Sequence, residues 1–281
     1  VTSSGPAHRG CIVVPCYNEE RRLDLVQFAD FLRRQATIDL LMVDDGSRDN
    51  TAELLLRLSD AFPERAKVLG LPKNRGKAEA VRFGLQSALA TGAGFVGYLD
   101  ADLAAPLVTM EQLGLALANW PEIDVAVGIR LPLLGHEIER TFMRRMMGQV
   151  GRRLAATVLG IPIRDTQCGA KVFRATHELQ HLLSTPFSVN WMFDVELLAR
   201  YLQTTALRGL PRAAGIYELP LDRWRDVRGS KLHWTDATRA FFDLGRLWIG
   251  YRLLPALGQP SFAPALLAPV NAAPQQQRRA A

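Results

Sequence analysis

Four short apolar runs recur at even spacing between residues 10 and 100, each followed by a polar turn and then by a helical pattern. They cover residues 11–15 (CIVVP), 40–43, 67–71 and 95–99. Short apolar runs alternating with helices predict a mostly parallel sheet with helices on both sides. The helical segments are expected to open at Asn18, which with Glu19 and Glu20 makes a plausible start, and near positions 51, 78 and 106. A fifth strand is expected at 125–128. Further on, the pattern predicts a helical, arginine-containing segment over 135–159, a strand at 172–173, a helix through WMFDVELLARYL, a strand at 216–219 and a final helix over about 234–254. The Pro-, Ala- and Gln-rich remainder from 255 to 281 offers little to pack and reads as a disordered tail, and residues 1–9 as a flexible start. The expected organisation is therefore one α/β domain over 10–254, with a change of composition at about 130.

Composition narrows the partners. A formal charge of +6 and a pI near 9.5 suit an anionic membrane surface or a phosphorylated substrate. Nucleic acid ranks last, because the chain holds no RNA-recognition signature and no zinc-finger spacing. Cys11, Cys16 and Cys168 are odd in number and widely spaced, which fits reduced thiols of a cytoplasmic protein better than a disulfide framework. No stretch reaches the roughly 20 apolar residues that a spanning helix needs, and VTSSGPAHRG does not read as a signal peptide.

In open α/β sheets, ligands sit beyond the carboxyl ends of the strands, and the residues there are informative. Pro15, Tyr17, Asn18 and Glu19 follow the first run, Asp44 and Asp45 the second, Gly76 and Lys77 the third, and Asp100, Ala101 and Asp102 the fourth. Any one of these could be a helix cap. Together they form a carboxylate cluster that is costly unless a cation sits with it, and a hard divalent ion would leave room for diphosphate oxygens. Alternate side chains in Asp100–Ala101–Asp102 leave one side of an extended segment, so one can reach a ribose hydroxyl and the other the metal. A dinucleotide site would need G-x-G-x-x-G where PCYNEE stands, and no P-loop occurs. Two further constellations are the Arg164–Gly169 segment with Trp191, Asp194 and Glu196, and the basic set Arg130, Arg140, Arg144, Arg225, Arg228 and Lys231. Read blandly, the first is a capped turn before a helix whose acids face water, and the second is a set of surface charges.

The blocks VVPCYNEE, MVDDGSRDNT, NRGKAEAVRFG and YLDADLA resemble, in order, the donor-site motifs of family 2 glycosyltransferases of the GT-A fold. GIR, ERTFMRR, IRDTQCGAKVF, WMFDVELLAR and VRGSKL are similar to the dolichyl-phosphate glucosyltransferases and, slightly further off, the mannosyl enzymes. The resemblance covers about residues 10–252. It implies a donor half to about 130 and an acceptor half over 131–254, and an inverting transfer of a hexose, with glucose first, from a nucleotide sugar such as UDP-glucose to a polyprenyl phosphate, with Mg²⁺ or Mn²⁺. It further implies that Tyr17 and Asp45 hold the base, with Pro15, Glu19 and Asp44 close by, that Lys77 lies by the base or ribose, that Asp100 lies by ribose and metal, and that Asp102 ligates the metal. Asp165 to Gly169, including Gln167, would line the sugar and acceptor side, and Arg130, Arg140, Arg144 and Lys231 would meet the acceptor phosphate. A neutral hydroxyl acceptor would instead need a base, for which Asp165 or Asp194 is the candidate. Transfer to a soluble small molecule and an inactive nucleotide-sugar-binding subunit remain the alternatives. The last helix, with Phe241, Phe242, Leu244, Leu247, Trp248 and Ile249 among Arg239, Arg246 and Arg252, could pack on the domain or lie in a membrane interface.

Overall fold

The computed structural model describes residues 9–139, 142–207, 209–211, 213–225, 234–259 and 261–262, with backbone alone for 139, 142–150 and 234–237. The first half alternates β1 (Gly10–Cys16), α1 (Leu25–Arg34), β2 (Ile38–Asp44), α2 (Thr51–Ala61), β3 (Ala66–Gly70), α3 (Lys77–Leu89), β4 (Phe95–Leu99), α4 (Val108–Asn119) and β5 (Val125–Ile129). There follow β6 (Glu137–Glu139), α5 (Phe142–Leu159), β7 (Ala170–Arg174), α6 (His177–Leu182), α7 (Phe193–Leu207), β8 (Ile216–Pro220), β9 (Arg223–Arg225) and α8 (Trp234–Trp248). A π-helical turn (Ile249–Leu253) and the short α9 (Leu254–Ala256) close the described chain.

Seven strands form one sheet in the order β3-β2-β1-β4-β7-β5-β8, parallel except for β7, which runs antiparallel between β4 and β5. The apolar runs are continuous because side chains of both parities are buried. Ile12 and Val14 join Leu40 and Met42 in a core shared with Phe28, Leu55 and Leu113 of α1, α2 and α4. Cys11 and Val13 join Leu41, Val43, Val96 and Tyr98 in a second core, under α3, α7 and α8, with Val81, Leu85, Val195 and Leu247. The predicted mostly parallel sheet between two helical layers is therefore the architecture observed. The three cysteines are buried free thiols, and burial raises the pKa of each, so none is poised as a nucleophile.

Three local expectations shift. The first helix begins not at Asn18 but at Leu25, where the Asp24 carboxylate accepts the N–H groups of Val26 and Gln27, both at 3.1 Å. Asn18 instead takes a left-handed conformation (φ 51°) and braces a neighbouring loop: its N–H donates to Ser47 Oγ at 3.0 Å and its Oδ1 accepts Arg48 N–H at 2.9 Å. The segment expected to be helical from 135 opens with β6, which pairs in parallel with β9 as a separate two-stranded sheet. Packing also continues past 254, since Ser261 is buried and the Phe262 ring meets Tyr251 edge to face.

The order β3-β2-β1 followed by β4 means that the chain winds one way from β1 and then crosses back, leaving a switch point between the carboxyl ends of β1 and β4. The donor-side carboxylates described next lie at this end of the sheet.

Candidate active site

The loop after β4 carries Asp100 and Asp102. Lys77, first residue of α3, sets its ammonium 2.6 Å from Asp100 Oδ1. Against the burial that would discharge it, the carboxylates of Asp100, Asp194 and Asp102 hold this ammonium above its ordinary pKa. Asp45 explains how Lys77 is delivered. Its buried carboxylate accepts Arg75 N–H at 2.7 Å and Gly76 N–H at 2.8 Å, fixing the turn just before α3. Burial outweighs those bonds and raises the pKa of Asp45. Asp44 is buried as well, its Oδ1 accepting Ser47 N–H at 3.1 Å. Gly46 between them has φ 67°, and a Cβ there would lie 2.6 Å from the Lys73 carbonyl carbon, so the turn admits only glycine.

Asp102 faces a cation that the motif reading passed over. Arg22 Nη1 lies 3.7 Å from Asp102 Oδ2, while the same guanidinium is clamped by Glu19, through Nε to Oε2 at 2.7 Å and a closer Nη2–Oε1 contact. Glu19 is thus an internal support: it is buried, and its N–H donates to Thr51 Oγ1 at 2.8 Å. Burial and the charge of Asp100 raise the pKa of Asp102. Asp100 is pressed from the other side by Gly169, where a Cβ would stand 2.1 Å from Asp100 Oδ2. Gly169 O also accepts Asp100 N–H at 3.0 Å, so the RDTQCG segment forms the far wall of the donor carboxylates. Tyr17 and Pro15 are half-buried at the end of β1, and Ala101 is buried between the two aspartates.

The second constellation comes together with its charged members paired to one another. Arg130, expected to meet the acceptor phosphate, makes a two-pronged ion pair with Asp165, Nε to Oδ2 at 2.6 Å and Nη2 to Oδ1 at 2.8 Å. It also stacks over the Trp224 ring at 5.2 Å. Each side chain of the pair is 11% exposed, and against the burial that would discharge it the Asp165 carboxylate holds the Arg130 guanidinium above its ordinary pKa. Asp165 additionally accepts the N–H groups of Arg130 and Gln167 at 3.2 and 3.1 Å. In this arrangement Asp165 clamps the loop that carries Gln167. Asp194 is also withdrawn: it lies under the sheet end, its Oδ1 accepting Lys171 Nζ at 2.6 Å and the Tyr98 hydroxyl. Burial raises its pKa to about 7. Nor does Glu196 face water: it is fully buried, pairs with Arg200 at 2.8 Å and accepts Ser188 N–H at 2.7 Å.

Lys171, like Arg22, is a residue that sequence reasoning missed. Besides Asp194 its ammonium donates to the Cys168 carbonyl at 2.6 Å, tying the first turn of α7 to the RDTQCG segment. A signal was present, since a lysine inside the apolar strand AKVFR must find a buried partner. Gln167 keeps a buried Nε2 with no hydrogen-bond partner, a donor directed into this wall. Arg225 lies apart, paired with Glu137 at 3.5 Å on the small sheet. Arg140, Arg228, Lys231 and the side chain of Arg144 lie outside the described residues.

Among the described residues no group of three or more His, Cys, Asp or Glu side chains converges as a ready metal cage. What does converge is the pair Asp100 and Asp102. Such a pair fits a hard ion that draws its remaining ligands from diphosphate oxygens and water.

A doubly wound sheet with its carboxylates gathered at the switch point is the architecture of the GT-A glycosyltransferases. The crystal structure of glucosyl-3-phosphoglycerate synthase from Mycobacterium tuberculosis with Mn²⁺, UDP-glucose and phosphoglyceric acid superposes with a TM-score of 0.58 at 19% identity, covering 90% of this chain and 81% of that one. Residues 11–202 match the model of glycosyl transferase family 2, and the chain belongs to that family. Dolichyl-phosphate beta-glucosyltransferase of Drosophila melanogaster is 33% identical over 258 residues, covering 85% of this chain and 74% of that protein. Its human counterpart is 29% identical, with 81% and 70% covered.

Proposed function

We propose that this glycosyltransferase moves glucose from UDP-glucose to a dolichyl or other polyprenyl phosphate, inverting the anomeric carbon. The observation that carries the reading is the 33% identity to the fruit-fly enzyme over 258 residues, which runs through the acceptor half as well as the donor half. The side chains support it independently. A neutral hydroxyl acceptor needs a carboxylate to take its proton, and both candidates for that task, Asp165 and Asp194, are engaged in buried clamps. A phosphate monoester is already an anion at neutral pH and attacks without such help.

In this reading Tyr17 and the turn held by Asp45 form the wall against the base, and Lys77 and Asp100 meet the ribose and diphosphate. Asp102, with Asp100, holds Mg²⁺ or Mn²⁺, whose chemistry is to neutralise the charge that develops on the leaving diphosphate. Arg22 and Lys77 hold the two carboxylates in place, and the Arg130–Asp165 clamp sets the loop that carries Gln167. That glutamine's Nε2 is buried there without a hydrogen-bond partner.

The test is release of nucleoside diphosphate from UDP-glucose and from GDP-mannose, with Mn²⁺, with and without a short polyprenyl phosphate. Release from UDP-glucose that depends on the lipid is expected. Slow release indifferent to the lipid would move the acceptor to a soluble molecule, and preference for GDP-mannose would replace the sugar.

A further inference from the structure

Helix α8 presents two unlike sides. Leu244 and Leu247 turn into the core at 4% and 0% exposure, whereas Phe241, Phe242, Trp248 and Ile249 stand 63%, 73%, 41% and 44% exposed. The helix cannot roll to hide them, because Asp243 is fastened on the inner side, its Oδ2 accepting the N–H groups of Trp191 and Met192 at 3.0 and 3.2 Å. On the outer side Phe241 and Phe242 meet edge to face, and with Gly245, Arg246, Ile249 and Phe262 they border an apolar groove of about 330 Å³.

The described side chains along this face are mostly basic. Over residues 238–257 Asp243 is the sole acidic residue and is turned inward, while Arg239, Arg246 and Arg252 accompany the apolar side chains. Exposed aromatic rings beside arginines, with no outward carboxylate among them, match an anionic lipid surface: the rings enter the acyl boundary and the guanidinium groups stay at headgroup level. The location fits too. Trp191 and Met192 lead into α7, whose Asp194 is joined through Lys171 to the Cys168 carbonyl, next to Gly169 and Asp100. The face is thus pinned to the end of the molecule that holds the donor carboxylates. Among the described residues no helix is long and apolar enough to cross a membrane.

We propose that the Phe241–Phe242–Trp248–Ile249 face of α8 docks peripherally on an anionic phospholipid bilayer. Its purpose rests on the lipid-phosphate reading, but its test does not. The full chain is sedimented with vesicles of phosphatidylcholine alone and of phosphatidylcholine with phosphatidylglycerol. Two double variants, Phe241→Ser/Phe242→Ser and Arg239→Gln/Arg246→Gln, are run beside it, and UDP release with a short water-soluble prenyl phosphate is measured on all three. The wild type is expected to bind the anionic vesicles, each double variant to bind at least about tenfold more weakly, and UDP release to stay unchanged. Three results would overturn the proposal: wild-type protein left in the supernatant with both vesicles, undiminished binding by the variants, or a wild-type dimer that the phenylalanine variant dissociates. Absence of UDP release with the short prenyl phosphate, whatever the vesicles show, would count against the acceptor instead.

Discussion

Lys171 and Asp194 set the terms at the residue scale. A buried ion pair is worth little against an apolar replacement but costs dearly when one partner is removed. Lys171→Met should therefore lose about 3–5 kcal/mol of stability in urea, and adding Asp194→Leu should restore much of it. The pH dependence has a definite sign. Burial lifts the Asp194 carboxyl from its ordinary 3.8 to about 7. A group that holds its proton more tightly folded than unfolded contributes stability in full below its unfolded pKa, and that contribution is lost as pH rises through the folded one. Without the ammonium of Lys171 the effect should be larger. The single variant is expected to lose stability between about pH 5 and about pH 8 more steeply than wild type, and Asp194→Asn added to it should flatten the slope. A thermal-melting series in pH checks both. The same residues mark how far the sequence could be read. Asp100, Asp102 and Lys77 stood out because strand ends gather polar residues in any open α/β sheet. The clamping roles of Arg130, Asp165 and Asp194 did not, because a charged residue looks alike in sequence whether it faces a ligand or another side chain.

At the scale of elements, periodicity located nearly every helix and strand of the sheet, and tertiary contacts moved their ends. The first helix starts late because Asn18 and Glu19 are more useful bridging to Ser47, Arg48 and Thr51 across the site. The pairing direction of β7 is another matter: period-two burial looks the same in parallel and antiparallel strands, and nothing in AKVFR announces that it runs against its neighbours. The joint between α7 and α8 is similarly non-local, with Asp243 supplying acceptors for N–H groups about fifty residues away. Asp243→Ala should cost about 1–2 kcal/mol in urea unfolding and speed amide exchange at Met192. An Asp24→Ala variant, which uncaps α1 far from this joint, should cost about 1 kcal/mol without changing exchange there.

For the whole molecule, ligand linkage is the useful measurement, since anything that binds only the folded chain raises its melting temperature. UDP with Mn²⁺ is expected to raise it by several degrees more than UDP alone, and EDTA should remove the difference. Asp102→Asn should abolish that metal-dependent increment and turnover with it, while keeping the wild-type melting point without ligand within about 1 kcal/mol of stability. An increment that survives in Asp102→Asn would mean that the ion is held elsewhere.

By itself the sequence determined the alternation of strands and helices, the two-sided burial of the sheet and the carboxylate-lined edge. These follow from periodicity and from the chain's need to bury apolar runs while leaving strand ends polar, both local properties of the text. Only the tertiary structure decided which charges are spent on each other: Arg22 with Glu19 and Asp102, Arg130 with Asp165, Lys171 with Asp194. It likewise decided which side of α8 is left to solvent. Those outcomes depend on distances between residues far apart in the chain, and electrostatic pairing and burial are properties of the packed geometry that spacing along the sequence does not encode.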